Sequence, residues 1–251
     1  MEDGVFYPSA VFMNSVCVAT YNGERYIEQQ LRSILEQIAP EDEVIVSDDG
    51  STDKTLSIIE AFEDARITIM HSNAHCYIDN FANTLRYAKG EIIFLSDQDD
   101  VWLPGKYERC VAELKTADLV CTDCHVTDSQ LQITENSYFA LNHAGKGILK
   151  NILIDTYCGA CMAFRRRVLD AAMPFPKTHN MGHDLWLGLV AEMIGTVRFI
   201  QTPYILYRRH NDSLTRQGTI LTRSNRPLWL KVWSRIEMLY YVCKFKLTHG
   251  K

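Results

Sequence analysis

Long hydrophobic runs are missing from this sequence of 251 residues. A membrane-spanning helix needs roughly 20 consecutive apolar residues, and no segment approaches that length. The first ten residues also lack the basic start and apolar centre of a secretory signal peptide. We therefore expect a cytoplasmic protein whose eight cysteines are reduced thiols.

An excess of positive charge is missing as well. The net charge is −5, with 47% hydrophobic and 23% charged residues, which indicates a globular protein and argues against a general nucleic-acid binder. The exception is the tail at 220–251, where seven lysines and arginines face a single acid, Glu237. Because the tail is also aromatic, it predicts a helix at a membrane surface. The alternative is a terminal helix packed on the core with its lysines in water.

Glycine-rich phosphate-binding loops are the third absence. Only Gly23 follows the first predicted strand, whereas the dinucleotide-binding turn needs three glycines in register, and no P-loop is present. The phosphates of a bound nucleotide would therefore need another partner. The physical alternative is a divalent metal that bridges carboxylates and phosphates.

What the chain does contain is a regular alternation of short apolar strands and amphipathic helices. Unbroken apolar strands separated by helices predict a parallel sheet covered on both faces. The predicted strands are 16–19, 44–46, 67–70, 92–95 and 119–121. Later in the chain we predict a loop-rich segment at 125–150, helices near 165–172, 183–194 and 226–246, and a strand near 197–200.

Three predicted strands end in polar segments, at 20–23, 47–51 and 96–100. Ligands bind at the carboxyl ends of the strands in open parallel sheets. The third segment crowds three like charges, Asp97, Asp99 and Asp100, at the end of an apolar strand. Bound Mg²⁺ or Mn²⁺ would remove their repulsion, with one acid on the metal while its neighbour turns to a sugar hydroxyl. The alternative is a solvated acidic loop that caps the next helix.

Three segments, VATYNGERYIEQQLRSIL, VSDDGSTDKT and FLSDQDDVWLPGK, occur in this order and spacing. Together they resemble the family 2 glycosyltransferases of the GT-A fold over about 14–215. The SDQDDVW form is similar to the rhamnosyltransferase-like bacterial branch that builds O-antigen and capsule polysaccharides. The resemblance implies an α/β fold with a mostly parallel sheet flanked by helices. It also implies an inverting, metal-dependent transfer from a nucleotide-sugar.

The resemblance extends to the substrates. It implies dTDP-rhamnose as the first-choice donor, with UDP-glucose, UDP-galactose or a UDP-N-acetylhexosamine as the runner-up. The implied acceptor is a saccharide linked to a lipid diphosphate at the inner face of the cytoplasmic membrane. The protein would then be peripheral on that face, attached through 220–251.

The resemblance also implies roles for the polar strand ends. Tyr21 would pack on the nucleotide base, and Asp49 would form a hydrogen bond with it. Asp97 would contact the ribose or the sugar, and Asp99 would bind the metal, while Asp100 receives no role. Two further residues of the first polar strand end complete the nucleotide-binding candidates: Thr20 and Asn22.

An inverting transfer needs a base that deprotonates the acceptor hydroxyl. The candidate is Asp184, at the start of the predicted helix 183–194. The family places its base at the start of a helix in this region, often as Glu-Asp, and here His183 replaces the first acid. The alternative is a helix N-cap, a position that aspartate favours.

A basic segment follows the strand-like residues 204–206. Cations stabilise the charge that develops on a leaving diphosphate, so Arg208 and Arg209 are candidate phosphate ligands. The resemblance favours His210 as a third metal ligand. The alternative is a surface basic loop. Two further candidate contacts to the phosphate or the acceptor are Trp102 and His183.

Two cysteine pairs, Cys121-x-x-Cys124 and Cys158-x-x-Cys161, suggest a structural zinc site. The gap between the pairs is longer than in zinc ribbons, and Cys121 falls in a predicted core strand. Buried free thiols are therefore the preferred interpretation.

We expect a single catalytic domain at 1–219, with a nucleotide-sugar half at 14–121 and an acceptor-side half at 122–219, followed by the basic tail 220–251. Two other functions stay open. A sugar-phosphate nucleotidyltransferase would need a glycine-rich loop with arginine and lysine after the first strand, which the chain lacks. A non-catalytic nucleotide-sugar-binding module would be marked by loss of Asp99 or Asp184, and both are present.

Overall fold

A computed structural model of the protein describes residues 13–178, 180–210 and 227–249. The strands of the described chain are β1 Ser15–Thr20, β2 Glu43–Asp48, β3 Ile67–His71, β4 Ile92–Asp97, β5 Val101–Trp102, β6 Leu119–Thr127, β7 Ile133–Glu135, β8 Met162–Arg165 and β9 Val197–Arg208. The helices are α1 Ile27–Leu35, α2 Thr55–Glu60, α3 Tyr77–Tyr87, α4 Lys106–Glu113, α5 Tyr138–Asn142, α6 Ile148–Ile154, α7 Arg166–Ala172, α8 His183–Ile194 and α9 Leu228–His249, with a 3₁₀ turn at Gly159–Cys161.

The strands form one sheet in the order β3-β2-β1-β4-β8-β6-β9-β5, with β7 beside β6. Strands β3, β2, β1 and β4 are parallel to one another, and so are β6 and β9. Strand β8 joins the two halves because it runs antiparallel to both β4 and β6. The carboxyl ends of β1, β2 and β4 therefore meet at one edge of the sheet. This arrangement confirms the predicted α/β fold with its parallel sheet.

The centre of the sheet is buried on both faces. In β1, Val16 and Val18 are fully buried, and in β4 the same is true of Phe94. Helices α1 and α3 contribute Leu31 and Leu85, which are also buried. Burying one such side chain stabilises the fold by roughly 1.5–3 kcal/mol. The unbroken apolar runs of the sequence therefore become central strands.

Strand β9 is longer than the predicted strand near 197–200. After a register irregularity, its second half stays paired with β6, where Thr127 faces Arg208. The same half pairs with β5, where Val101 faces Leu206. The chain around Arg208 is thereby carried to the acidic end of β4.

Helix α9 presents two different faces. Met238, Val242 and Phe245 are buried, and the Phe245 ring lies 5.8 Å from the ring of Trp186 in α8. Trp233, like several other apolar residues of α9, is exposed. Packing on the core, one alternative for the tail, thus describes one face of the helix. Within the described ranges, no helix combines the length and apolar character that crossing a membrane requires.

Candidate active site

The carboxyl ends of β1 and β4 are joined by a residue that the sequence analysis did not select, Gln98. Its Oε1 accepts hydrogen bonds from the Thr20 hydroxyl at 2.6 Å and from the Tyr21 backbone N–H at 2.8 Å. Its Nε2 donates to the Tyr21 carbonyl at 3.0 Å. Gln98 therefore holds the first polar strand end against the acidic loop. In the sequence, the one indication that Gln98 belongs to the site was its position between Asp97 and Asp99.

Asp99 and His210, both predicted metal ligands, are in contact. The His210 Nε2 lies 2.8 Å from the Asp99 Oδ2, and both side chains are mostly buried. The His210 ring packs against the ring of Tyr26, with centroids 4.9 Å apart. Residues that are 111 positions apart in sequence thus face one another at the end of β4.

Arg208 and Asp100 together fix the shape of the acidic loop. The Arg208 backbone N–H donates to the Asp100 Oδ1 at 2.9 Å. The guanidinium donates to the carbonyls of Asp99 and Ser129, each at 2.7 Å, and to the Gln29 Oε1 at 2.8 Å. Arg208 is nearly fully buried. In this structure it therefore braces the loop, and its predicted contact with phosphate stays a prediction.

Asp100, to which the sequence analysis gave no role, points inward. It is almost fully buried, and its Oδ2 has no hydrogen-bond partner in the described structure. Burial raises its pKa well above the ordinary value, and the charges of Asp99 and Asp97 raise it further. Asp100 therefore links the loop to β9, leaving Asp97 and Asp99 as the acids nearer to solvent.

The pKa of Asp97 reflects the charged groups that surround it. Burial raises its pKa well above the ordinary value, the charges of Asp99, Cys158 and Asp184 add to the shift, and Lys106 opposes it. The candidate base Asp184 thus lies within electrostatic reach of Asp97, although 87 positions separate the two in sequence. The fold brings the two halves of the predicted site together.

Lys106 is a buried cation that the sequence analysis also missed. Its Nζ donates to the Ala160 carbonyl at 2.7 Å and lies 4.1 Å from the centre of the Trp102 ring. Burial lowers its pKa, while the neighbouring Asp100 charge works in the opposite direction. Lys106 ties the first residue of α4 to the 3₁₀ turn and offsets part of the acidic charge. In the sequence, the one indication of a role for Lys106 was its position at the end of the third recognised segment.

These residues fit a divalent cation. A carboxylate oxygen from Asp99 and an imidazole nitrogen from His210 are suitable donors. Among the residues that the structure describes, no three such side chains form a ready-made metal cluster. A magnesium ion is commonly held by one or two carboxylates together with substrate phosphates.

The predicted nucleotide contacts lie along the same edge of the sheet. Tyr21 is half exposed, so its ring is available for stacking. The Asn22 Oδ1 accepts from the Thr52 backbone N–H at 2.9 Å. Asp49 is buried, and its carboxylate accepts from three backbone N–H groups, those of residues 74–76, at 2.8–3.2 Å. Asp49 therefore organises the entry to α3, and its contact with a base stays a prediction.

Asp184 lies in the first turn of α8, beside the 3₁₀ turn. A Cβ atom added to Gly159 would lie 3.3 Å from the His183 Nε2 and 3.8 Å from the Asp184 Oδ2. The Asp184 Oδ1 accepts a hydrogen bond from the Leu185 backbone N–H at 2.8 Å. Gly159 therefore lies directly beside this carboxylate.

The His183 side chain lies inside the protein, with its Nε2 near Gly159. It is buried, its ring stacks on Phe81 at 4.1 Å, and neither ring nitrogen has a hydrogen-bond partner among the described residues. Burial lowers its pKa, so the imidazole is neutral. Its predicted contact with phosphate or acceptor stays untested, and the structure gives it a packing role.

The structure places Trp102 in the core and Arg209 beside Tyr207, at the end of β9. Trp102 is buried, and its ring packs 5.4 Å from the ring of Phe94. The pairing of β5 with β9 turns the ring into the core, and the predicted contacts of Trp102 and Arg209 with phosphate or acceptor stay predictions. The Arg209 guanidinium lies 4.7 Å from the centre of the Tyr207 ring.

The four cysteines of the two pairs are buried free thiols, as preferred from the sequence. The structure adds that the pairs meet, because hydrogen bonds with Cys124 and Cys158 lower the pKa of Cys161 to about 7. Burial, followed by hydrogen bonding to Cys158 and Cys161, raises the pKa of Cys124. Of these thiols, Cys158 lies within electrostatic reach of Asp97.

A model of one protein family matches residues 15–172, which is more than half of the chain. The matched region contains all three recognised segments and the acidic loop. The chain belongs to Glycosyl transferase family 2. The sequence-based assignment to the family 2 glycosyltransferases is thereby confirmed.

Two bacterial relatives of this family 2 chain illustrate the likeness. The UDP-Glc:alpha-D-GlcNAc-diphosphoundecaprenol beta-1,3-glucosyltransferase WfgD of Escherichia coli is 27% identical over 187 residues, covering 72% of this chain and 71% of that enzyme. The dTDP-rhamnosyl transferase RfbG of Shigella flexneri is 38% identical over 104 residues, covering 38% of this chain and 35% of that enzyme. The chain spans from 35% to 71% of the length of such curated relatives.

Solved structures share the fold. TarS of Staphylococcus aureus in complex with UDP-GlcNAc superposes with a TM-score of 0.66 at 18% identity, covering 94% of this chain and 73% of that one. A mannosyltransferase of Pyrobaculum calidifontis in complex with GDP-Man and Mn²⁺ has a TM-score of 0.57 at 20% identity, covering 96% and 76%. At this identity the likeness confirms the GT-A fold and carries nothing further.

Proposed function

We propose that this family 2 chain is an inverting, metal-dependent glycosyltransferase that moves a sugar from a nucleotide-sugar to a hydroxyl of a saccharide acceptor. One observation carries the proposal. The Asp99–His210 pair and the half-buried Asp97 gather at the end of β4, and Asp184 lies within electrostatic reach of Asp97. This grouping supports a metal-and-donor side and a base for the acceptor at one edge of the sheet.

The chemistry divides between the two sides of the site. The Asp184 carboxylate takes the proton from the acceptor hydroxyl as its oxygen forms a bond to the anomeric carbon. The bond from that carbon to the diphosphate oxygen breaks, and the electron pair leaves with the diphosphate. Asp99 and His210 would hold a divalent cation, which when bound neutralises charge on the diphosphate. Tyr21 and Asp97 would orient the base and the sugar.

The donor is the finer part of the proposal. We propose dTDP-rhamnose first and a UDP-hexose second, in keeping with the two donors named for the relatives from Shigella flexneri and Escherichia coli. Both nucleotides offer a pyrimidine base for the half-exposed Tyr21 ring. Contacts with the sugar, rather than with the base, would therefore decide between dTDP-rhamnose and a UDP-hexose.

The acceptor and the location follow from the tail. We propose a lipid-diphosphate-linked oligosaccharide of O-antigen or capsule synthesis as the acceptor, approached from the cytoplasmic face of the membrane. The catalytic unit would span 1–219, and 220–251 would attach it to that surface. The basic and aromatic composition of the tail supports this arrangement.

The decisive experiment is a screen for release of nucleoside diphosphate from dTDP- and UDP-sugars with Mg²⁺ or Mn²⁺ and with a chelator. Asp99→Ala should lose metal-dependent donor binding, seen as loss of the thermal shift by nucleotide plus metal. Asp184→Asn should bind donor normally and lose roughly 100-fold or more in turnover, as expected for a missing general base. Asp170→Asn, at an exposed position of α7, is the matched control.

Two results would contradict the proposal. Turnover by Asp184→Asn at the wild-type rate would remove the base assignment. Donor binding without release of nucleoside diphosphate from any donor, even with mixed bacterial lipid-linked saccharides as acceptors, would favour a non-catalytic binding module.

A further inference from the structure

Helix α9 turns a continuous apolar face toward solvent. Seven large apolar side chains of the helix are between 40% and 86% exposed: Trp229, Val232, Trp233, Ile236, Leu239, Tyr240 and Leu247. With 3.6 residues per turn, these positions fall within an arc of about 120° on the helix surface. The arc contains no charged residue. It lies opposite the side that packs on the core through Met238 and Phe245.

A second helix extends this face. In α6, Leu149 is 70% exposed and Leu153 is 63% exposed, and their i, i+4 spacing places them on one side of the helix. Helices α6 and α9 are in contact, since the Arg235 Nη2 donates to the Leu153 carbonyl at 3.1 Å. We call these two leucines and the exposed apolar arc of α9 the apolar ridge. Monomeric proteins seldom expose so much contiguous apolar surface without a binding role.

The charges that border the ridge are positive. Lys244 and Lys246 are exposed and lie on either side of the arc. The single acid of α9, Glu237, is engaged with the segment before α8, because its Oε2 accepts from the Asn180 Nδ2 at 2.7 Å. An apolar strip edged by lysines complements a surface that is apolar inside and anionic at its rim.

We propose that the apolar ridge, formed by α6 and α9 together, docks on an anionic lipid bilayer. The proposal deepens the function above and rests on it for the acceptor, but the docking itself needs no catalysis. A second copy of the chain fits less well, because a two-fold interface would bring the lysine edges face to face. Tryptophan and tyrosine suit the headgroup region, where an apolar ring and a polar tip are both satisfied.

Docking of the apolar ridge would also position the candidate active site, because α9 contacts the segment before α8. Asn180, bonded to α9, lies four residues before Asp184. A groove of about 900 Å³ between Asn180 and α9 is lined by five apolar residues of the helix: Trp229, Leu230, Val232, Trp233 and Ile236. The docked ridge would therefore hold the base side of the site next to the bilayer, where a lipid-linked acceptor resides.

The test is flotation of the full chain with vesicles of phosphatidylcholine alone or with phosphatidylglycerol, in the absence of donor and acceptor. The α6 variant Leu149→Ser/Leu153→Ser and the α9 variant Trp233→Ser/Ile236→Ser should each lower the partition coefficient about tenfold or more, since each removes two inserted side chains. Lys244→Gln/Lys246→Gln should lower binding to the anionic vesicles selectively.

The control is Tyr87→Ser/Ile133→Ser, which changes two apolar residues that are 49% exposed and lie outside the ridge. It should float like the wild type, and all variants should keep the circular dichroism of the wild type. Failure of the wild type to float, or normal flotation of the α6 variant, would overturn the proposal. So would a dimer in sedimentation velocity that the ridge variants dissociate, since a second copy would then cover the ridge.

Failure of the ridge and failure of the proposed reaction are separable. A chain that floats but releases no nucleoside diphosphate contradicts the reaction alone. A chain that releases nucleoside diphosphate but does not float contradicts the ridge alone.

Discussion

His183 and Asp184 are neighbours with opposite requirements. The histidine is buried against Phe81 with a lowered pKa, whereas the aspartate is only partly buried. Because successive residues of a helix are about 100° apart, one can pack in the core while the next meets a substrate. The dipeptide would thus combine a packing role for His183 with the proposed base role of Asp184.

The buried imidazole predicts a pH dependence of stability. Since the pKa of His183 is lower in the folded state, the unfolded chain binds a proton first as the pH falls below about 6.5. The unfolding free energy should therefore fall from that pH downward, by about 1.4 kcal/mol for each unit of pKa difference. His183→Phe should flatten this part of the profile.

Urea denaturation between pH 7 and pH 5 provides the measurement. His71→Phe, at an exposed position at the end of β3, serves as the control and should follow the wild type. An unchanged profile in His183→Phe would show that another group causes the acid sensitivity.

The position of helix α8 depends on a glycine within it, Gly188. A Cβ atom on Gly188 would lie 2.4–2.6 Å from ring atoms of Tyr157, which is buried. The Tyr157 hydroxyl donates to the Glu192 Oε1 at 2.7 Å, one turn further along the helix. The close approach of this ring therefore sets how α8, and with it Asp184, sits beside the 3₁₀ turn.

Gly188→Ala should destabilise the protein despite the better helix propensity of alanine. The propensity gain is roughly 0.5–1 kcal/mol, whereas overpacking in a core costs about 1–3 kcal/mol, so a net loss is expected in chemical denaturation. In the background of Tyr157→Ala the same substitution should become neutral or stabilising, because the ring is gone. A net loss of the same size in both backgrounds would mean that the ring is not the cause.

At the scale of the whole molecule, α9 belongs to the packed structure as well as to the apolar ridge. Removing 227–249 deletes three buried apolar side chains, Met238, Val242 and Phe245, and uncovers Trp186. At roughly 1.5–3 kcal/mol for each side chain, truncation should lower the unfolding free energy by about 4 kcal/mol or more. Denaturant unfolding of the two lengths measures this.

The exposed-face variant Trp233→Ser/Ile236→Ser should keep the stability of the full chain, because neither side chain packs on the core. Equal stability of the truncated and full chains would show that α9 does not pack on the rest of the protein in solution. The same reasoning makes point variants, rather than truncations, the proper probe of membrane binding.

The sequence determined the elements that local patterns encode. The runs around Val16, Val46 and Phe94 are apolar at successive positions, and only a strand covered on both faces buries them fully. Polar residues directly after such strands, Asn22, Asp49 and Asp97 among them, then meet at one edge of a parallel sheet. The confirmed family and fold follow from these features together with the three recognised segments.

The tertiary structure decided what each side chain faces. Trp102 enters the core because β5 pairs with β9, and Arg208 braces the acidic loop although 109 positions separate it from Asp99. Lys106 meets the Ala160 carbonyl only after α4 and the 3₁₀ turn are packed. The hydrophobic periodicity of a sequence predicts which side of a helix or strand is buried, but not which remote residues it contacts. The contacts of Trp102, Arg208 and Lys106 join segments that are remote in sequence, so they are set only when the sheet and its helices assemble.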